Sequence, residues 1–390
     1  MITDFNFFLK TQLQYGVGCT RRIGDFITGK AFRDIVVIAD EGVVNNSPYF
    51  NDIIACIKNS ANNASIQVVR GTEEPDYDYL DEMADVIRGI GKIDLIVGIG
   101  GGSCLDLTKA VAVLKNNPGE GIDYRGFDMI QHPGVPTLAI PTTAGTGSEV
   151  TINAVFADKK EMKKLGINGR YMHASYAILD AEWTVSCPFS VALSSGIDAL
   201  THALESYTCK KANILSRIFS REAFRLLYNA LPCLVDDPDN RAKRQELLLG
   251  SYLSGAALFN SGSGIAGALS YPIGVHFKVP HGIGGGIFLD SVIDFNVRNQ
   301  YWDYAELLDA VEDRPRESKE KRAETFVSAM KELFNKLRVP KHLDAWGVTK
   351  ENVDQVAELM LPLQAAFDQN PVLFSAATDA PKFLRMHIKP

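Results

Sequence analysis

A chain of 390 residues exceeds what one ordinary hydrophobic core organises, so two domains of roughly 150 to 200 residues are the natural expectation. Its residues are 46% hydrophobic and 22% charged, ordinary globular usage that excludes disordered, collagenous and coiled-coil classes. A formal net charge of −7 argues against nucleic acid or an anionic membrane as the main partner, because those surfaces select clustered Lys and Arg; a small molecule fits better.

The N-terminal run MITDFNFFLK has no basic stretch followed by an apolar one, so it does not read as a signal peptide, and no apolar run reaches the ~18 residues of a membrane span. The six cysteines (Cys19, Cys56, Cys104, Cys187, Cys209, Cys233) show no CxxC or zinc-like spacing and read as reduced thiols, which points to the cytoplasm.

Residues 35–39, IVVIA, form a β-branched apolar run closed by Asp40 and Gly42, as a buried parallel strand would be. Residues 48–60 carry Phe50, Ile53, Ile54 and Ile57 at helical spacing, SIQVVR (Ser65–Arg70) reads as a second strand, and Leu80, Met83, Val86 and Ile87 mark a second helix. A third strand, IDLIVGIG, ends in Gly100–Gly102 and leads into the amphipathic LDLTKAVAVLK, while a fourth, TLAIP (Thr137–Pro141), opens into TTAGTGSE. This alternation predicts a mostly parallel sheet wound on both sides, with ligands at the carboxyl ends of its strands. After Pro188 the texture changes: 189–208, 214–231, 242–259, 302–312 and 319–337 read as helices, and Asp236–Asn240 and Glu312–Arg316 as charged loops. The predicted architecture is α/β plus all-α, with a Rossmann-like parallel-sheet domain over 1–186 and a helical domain over 187–390.

Gly98 to Ser103 sit where a strand ends and a helix begins, so free N–H groups there can cradle a pyrophosphate; a tight turn made for packing is the plainer alternative. Thr142 to Glu149 also follow a strand and supply hydroxyls and Gly N–H groups suited to a dinucleotide. Asp40 is placed to accept from an adenosine ribose hydroxyl and to repel a 2′-phosphate, favouring NAD over NADP, unless it only closes the strand-end turn. In IDALTHALESY, Asp198 and His202 lie at i and i+4 on one helix face, half a donor set for a divalent cation. His281 follows a proline and precedes a Gly-rich turn, where a helix start can present its ring.

Together YGVG at Tyr15, GGGSCLDLTK, PTTAGTGSEVT from Pro141, IDALTHALESY, LSGAALFN and VPHG resemble the iron-containing alcohol dehydrogenases over nearly the whole chain. The resemblance implies a dehydroquinate synthase-like two-domain architecture, a metal (Fe2+ or Zn2+) in the cleft between the domains, NAD(H) as cofactor and a homodimer formed through the first strands. It also implies hydride transfer between nicotinamide and a primary alcohol or aldehyde, the metal polarising the substrate oxygen. Carried over by position, the cofactor residues are Asp40, Gly100, Gly101, Gly102, Ser103, Thr142, Thr143, Thr146, Thr151 and Lys164, with Asn153 near the nicotinamide and substrate, and Asp198, His202 and His281 as metal ligands.

The chain departs from the family in GIAGALSYPIGVHFKVPHG. Where the family has a ligand histidine fourteen residues before His281 it has Gly267, and where the family has a further histidine ten residues before His281 it has Tyr271. Tyr271 keeps a phenolic proton that can be donated to the substrate oxygen. Gly267 is expected to enlarge the space beside the metal. Three arrangements follow: metal held by Asp198, His202 and His281 alone; His276, on the short segment after Pro272, moved in as replacement ligand; or metal lost to a bulkier or anionic substrate, with Lys278 as anion contact and Tyr271 as acid and base. A functionalised or anionic aldehyde is the expected substrate. The competing functions are a dehydroquinate synthase or glycerol dehydrogenase relative, against which the motif spelling argues, and an inactive dinucleotide-binding homologue.

Overall fold

The computed structural model describes residues 4–70, 75–313 and 317–389. Of the loop expected at Glu312–Arg316, residues 314–316 lie outside the described residues, as do the first three of the N-terminal run. The chain divides into an α/β unit, 9–188 with 239–248, and a helical unit made of the residues up to Phe8, 189–238 and 249–390.

The α/β unit runs β1 (Gln12–Tyr15), α1 (Ile23–Gly29), β2 (Asp34–Asp40), α2 (Glu41–Asn46), α3 (Phe50–Ser60), β3 (Asn63–Val69), α4 (Tyr77–Gly89), β4 (Leu95–Gly100), α5 (Gly102–Leu114), β5 (Gly126–Phe127), β6 (Thr137–Pro141), β7 (Asn153–Asp158), β8 (Lys163–Asn168) and β9 (Tyr176–Leu179). Six strands form a parallel sheet in the order β1-β9-β6-β4-β2-β3. Strand β2 shows why it is covered on both faces. Ile35, Val37 and Ala39 pack with Ile23, Ile27, Phe50 and Ile57 of α1 and α3, whereas Val36 and Ile38 pack with Leu80 and Ile87 of α4 and Val111 of α5. A strand apolar on both faces is stable only when helices bury each one. The chain winds outward from β2 to β3 and then returns to place β4 on the other side of β2. The carboxyl ends of β2 and β4, Asp40 and Gly100, therefore flank the point where the winding reverses, the usual ligand position in such sheets.

The sequence does not announce the second sheet, an antiparallel β7–β8 hairpin with β5 beside β8. Only Ala154, Phe156 and Asp158 of NAVFAD are buried, an alternation too short and mixed to stand out.

The helical unit contains α6 (Phe189–Thr208), α7 (Ile214–Ala230), α8 (Cys233–Asp236), most of α9 (Arg241–Phe259), α10 (Ile265–Phe277), α11 (His281–Arg298), α12 (Tyr304–Leu308) and α13 (Lys319–Leu337), followed by short helical turns. Among the described residues no helix is long and apolar enough to cross a membrane. The expected helix over 302–312 is regular only in α12. Two expectations in the segment around His281 are corrected. Pro272 and His276 lie inside α10 and not on a separate short segment, and the Gly-rich stretch after His281 is the first turn and a half of α11, not a turn. Helix packing explains the glycines: a Cβ on Gly282 would stand 1.9 Å from the Ser194 carbonyl oxygen of α6, and one on Gly286 would stand 2.5 Å from Ile197 Cγ2.

Gly285 of the same helix has room, its Cβ position lying 3.4 Å from Thr201 Oγ1. Gly282→Ala should therefore lower the melting temperature by an overpacking loss of about 1–3 kcal/mol or more, whereas Gly285→Ala should be neutral or gain up to ~1 kcal/mol from helix propensity. Equal melting temperatures for the two variants would sink the close-packing account.

Candidate active site

Helix α6 puts Asp198 and His202 one turn apart on one face, and α11 starts with His281, Pro280 occupying its N-cap position. Gly282, the next residue, lies so close to α6 that its Cβ position is 2.9 Å from Asp198 Cβ. That contact brings His281 to Asp198: the Asp198 Oδ1 atom is 3.6 Å from His202 Nε2 and 3.8 Å from His281 Nε2. One ligand atom from each of the three residues lies within 4.8 Å of the others, the one such group among the described residues. Ligands ~2.1 Å from a tetrahedral ion would stand about 3.4 Å apart, close to the two carboxylate–imidazole distances of 3.6 and 3.8 Å. One carboxylate and two imidazoles suit Fe2+ or Zn2+ and leave coordination positions open for water or substrate.

The start of α10 lies beside this cluster. Glu205, one turn beyond His202 on α6, is fully buried, and its carboxylate accepts N–H groups from Gly264 (2.8 Å), Ala266 (2.7 Å) and Gly267 (3.2 and 3.3 Å). Burial raises its carboxyl above the usual range, and the three N–H groups and His202 pull it back. A Cβ on Gly267 would meet Glu205 Oε2 at 2.8 Å. The space a side chain at 267 would enter is thus held by Glu205, which corrects the expectation of an enlarged pocket there. Ser270 is buried, with its hydroxyl 2.7 Å from the Gly267 carbonyl oxygen and 2.9 Å from His281 Nδ1. Tyr271 is 39% exposed and its ring centroid is 4.8 Å from that of His281, so the phenol stands next to the cluster. His276 and Lys278, near the end of α10, are exposed, and His276 does not join the ligand group. Sequence reasoning passed over Ser270 and Glu205; their only signal was a polar residue on an otherwise apolar helix face.

In the α/β unit, the start of α5 carries Gly101 at its N-cap with no side chain capping it, which leaves backbone N–H groups for an anion. The Thr142–Glu149 loop lies against this turn. Thr142 N–H donates to the Gly100 carbonyl (3.0 Å), Thr143 Oγ1 is 3.4 Å from the Cβ position of Gly101, and Thr146 Oγ1 is 2.6 Å from that of Gly102. Asp40 is beside Gly100, whose Cβ position is 3.0 Å from Asp40 Cβ, and it also caps α2 by accepting the Gly42 N–H at 2.8 Å. Asp40 therefore closes the strand-end turn, and burial raises its carboxyl above the usual range. The structure thus gathers Asp40, Gly100, Gly101, Gly102, Ser103, Thr142, Thr143 and Thr146.

The Thr151 hydroxyl and the backbone carbonyl of Asn153 lie on the buried Lys109 of α5. Its ammonium donates to the carbonyls of Ser148 (2.9 Å) and Asn153 (2.6 Å), stands 3.3 Å from Thr151 Oγ1, and pairs with Asp106 at 3.3 Å. Burial lowers the Lys109 pKa. Lys164 pairs with Ala157 toward the turn of the β7–β8 hairpin, four residues along the strand from Asn153 and so about 13 Å away. The structure does not bring those two together. Glu149, fully buried near Lys109, has an oxygen without a hydrogen-bond partner, and burial pushes its carboxyl up to about 7. Asp106, Lys109 and Glu149 stood within motifs read only as a helix face and a polar loop.

Profiles described as "Iron-containing alcohol dehydrogenase" and "Fe-containing alcohol dehydrogenase family, C-terminal" match residues 10–181 and 192–378. The chain is 32% identical to a sulfoacetaldehyde reductase of Bilophila wadsworthia over 76% of its length and 78% of the relative's. It is 29% identical to a lactaldehyde reductase of Escherichia coli K12, covering 89% of this chain and 90% of that one. Among solved structures, sulfoacetaldehyde reductase from Bifidobacterium kashiwanohense in complex with NAD+ superposes with a TM-score of 0.86 over 99% of both chains at 24% identity, a likeness of fold.

Two outcomes test these sites. The Glu149 carboxyl holds its proton to about pH 7 against an ordinary 4.5, so the stability it contributes is complete below about 4.5 and is lost as pH rises through about 7. Glu149→Gln should remove that slope, amounting to about 3 kcal/mol relative to the parent across this window. Parallel melting-temperature profiles for the two proteins from pH 4.5 to 7.5 would contradict it. At the other site, Gly267→His should lower the melting temperature and leave metal affinity no tighter, because its Cβ displaces a carboxylate fixed by three N–H groups. Tighter Zn2+ binding in a chelator competition would show that Glu205 yields.

Proposed function

Because the chain belongs to the iron-containing alcohol dehydrogenase family, we propose that it is an NAD(H)-dependent alcohol dehydrogenase or aldehyde reductase, moving a hydride between nicotinamide and a primary alcohol or aldehyde, with Asp198, His202 and His281 as metal ligands. The observation that carries this reading is the convergence of those three ligand atoms within 4.8 Å. When bound, Fe2+ or Zn2+ supplies Lewis-acid stabilisation of charge on the substrate oxygen, and NAD(H) supplies or accepts the hydride.

The chain's own groups do the rest. The uncapped start of α5, with Gly100, Gly101, Gly102 and Ser103, binds the diphosphate, and Thr142, Thr143 and Thr146 close over the same turn. Asp40 accepts from the adenosine ribose and disfavours a 2′-phosphate, hence NAD over NADP. Thr151 belongs to the proposed cofactor set and Asn153 lies near the nicotinamide and substrate in the same proposal, while Lys109 ties α5 to the start of β7. Lys164 remains part of the proposed cofactor set on the resemblance alone. Tyr271 is the proposed proton donor to the oxygen of an aldehyde being reduced.

The substrate we propose is a small functionalised aldehyde with an anionic group. The lactaldehyde reductase among the relatives supports a small functionalised aldehyde, the sulfoacetaldehyde reductase supports the anionic group, and the exposed Lys278 near the end of α10 is the cation offered. A homodimer through β1 belongs to the same proposal, supported by that strand's place at the sheet edge, and so does a cytoplasmic home, supported by the lack of CxxC or zinc-like spacing among the six cysteines.

The test assays metal-loaded protein with NADH and NADPH against sulfoacetaldehyde, lactaldehyde and propanal, beside elemental analysis. Turnover with NADH exceeding that with NADPH, a preference for the anionic aldehyde, and loss of activity on chelation that Fe2+ or Zn2+ restores are expected. Equal rates on all aldehydes would remove the substrate claim. Turnover that survives complete metal removal yet disappears in Tyr271→Phe would replace metal-assisted chemistry with acid-base chemistry by Tyr271.

A further inference from the structure

We propose that Ser270 is a positioning residue that fixes His281 in its Nδ1–H tautomer, so that the Nε2 lone pair faces Asp198 and His202. The inference rests on the proposed metal site and explains how three ligands suffice where Gly267 offers none.

A serine hydroxyl has one proton to give and two lone pairs to receive with. Ser270 Oγ lies 2.7 Å from the carbonyl oxygen of Gly267 and 2.9 Å from His281 Nδ1. A carbonyl only accepts, so the single hydroxyl proton goes to Gly267. The same oxygen then has only lone pairs for His281, and the contact is satisfied when Nδ1 carries the imidazole proton. A neutral imidazole has one N–H, which leaves Nε2 bare. That nitrogen is the one 3.8 Å from Asp198 Oδ1, on the side of the ligand cluster. With the opposite tautomer, which a histidine side chain prefers in water, the N–H would point into the cluster and two lone pairs would oppose each other at Ser270.

The hydroxyl can enforce this because it is itself anchored. Ser270 is 1% exposed and cannot turn to water. Its acceptor, the Gly267 carbonyl, belongs to a helical turn whose amides at 264, 266 and 267 are all held by the Glu205 carboxylate. The Tyr271 ring packs against the imidazole at 4.8 Å between centroids. His202 has no counterpart to this support, since its Nδ1 is buried without a hydrogen-bond partner. Of the two histidines, His281 is the one preset to coordinate.

The test uses the full-length apo protein with 15N-labelled histidine at a pH where imidazoles are neutral, with His281 assigned by comparison with His281→Asn. Long-range 1H–15N spectra report the tautomer, and Zn2+ alone, in competition with a chelator, reports affinity. The parent should show His281 as Nδ1–H. Ser270→Ala should shift it to Nε2–H or a mixture and weaken Zn2+ binding by about 10–100-fold, with NADH binding unchanged, a loss typical of removing an outer-shell partner. An Nε2–H tautomer in the parent overturns the proposal, even if the variant fails to fold. So does a variant that folds and keeps both the parent's tautomer and its Zn2+ affinity to within about twofold, well inside that range. A parent that binds neither Zn2+ nor Fe2+ would end the metal-assisted reading of the site, while its tautomer would still decide on Ser270.

Discussion

The helical unit's site depends on a single close approach, that of α11 to α6 at Gly282. Backbone meets backbone there, with no room for even one methyl beside the Ser194 carbonyl. An ordinary side chain would hold helix axes 8–10 Å or more apart, so a glycine contact is what lets the first residue of α11 reach a carboxylate on α6. Helical spacing does the remainder: His202 follows Asp198 by one turn and needs no adjustment to share its face. The three ligand atoms are therefore placed by regular elements rather than by loops, which is how a site keeps its geometry between turnovers.

The α/β unit solves a related problem with charge. Lys109 is buried, and an ammonium taken from water is stable only if its donors are all engaged. Its partners come from α5 itself (Asp106), from the loop after β6 (Ser148) and from the start of β7 (Thr151, Asn153). Each partner lost would leave a buried charge short of an acceptor, so the cluster locks the Thr142–Glu149 loop against the start of α5. The uncapped helix start is thus held against that loop by a network centred on Lys109, about two turns further along α5.

How much of this was legible follows from what each signal rests on. Strands β2, β4 and β6 were readable as short continuous apolar runs closed by turn residues, and helices α6 and α13 because their apolar residues repeat at period 3.6 over enough length. The β7–β8 hairpin was not, since NAVFAD buries only alternate small or mixed residues. The Gly-rich run in α11 misled for a physical reason: glycine is rare in helices on propensity grounds, and only the tertiary contact with α6 reveals why it is required there. The meeting of Asp198, His202 and His281 and the glycine turn at the start of α5 were anticipated from spelled motifs. Ser270, Glu205 and Lys109 were not, because a buried polar residue declares its role only through partners distant in sequence, and Glu205 meets its own near residue 265, some sixty positions on.

The two glycines at 267 and 282 show why similar residues carry different consequences. At Gly282 the missing side chain admits backbone, an obstacle that cannot rotate away. At Gly267 it admits the end of Glu205, a side chain with rotamers of its own, but one whose carboxylate engages the amides of Gly264, Ala266 and Gly267 at the start of α10. Displacing it would leave those amides and a buried carboxylate unpaired at once, each a loss of about 1–3 kcal/mol. The empty ligand position is therefore not a vacancy awaiting a histidine; it is one half of a buried cap, and the same cap steadies the carbonyl on which Ser270, and through it His281, depends.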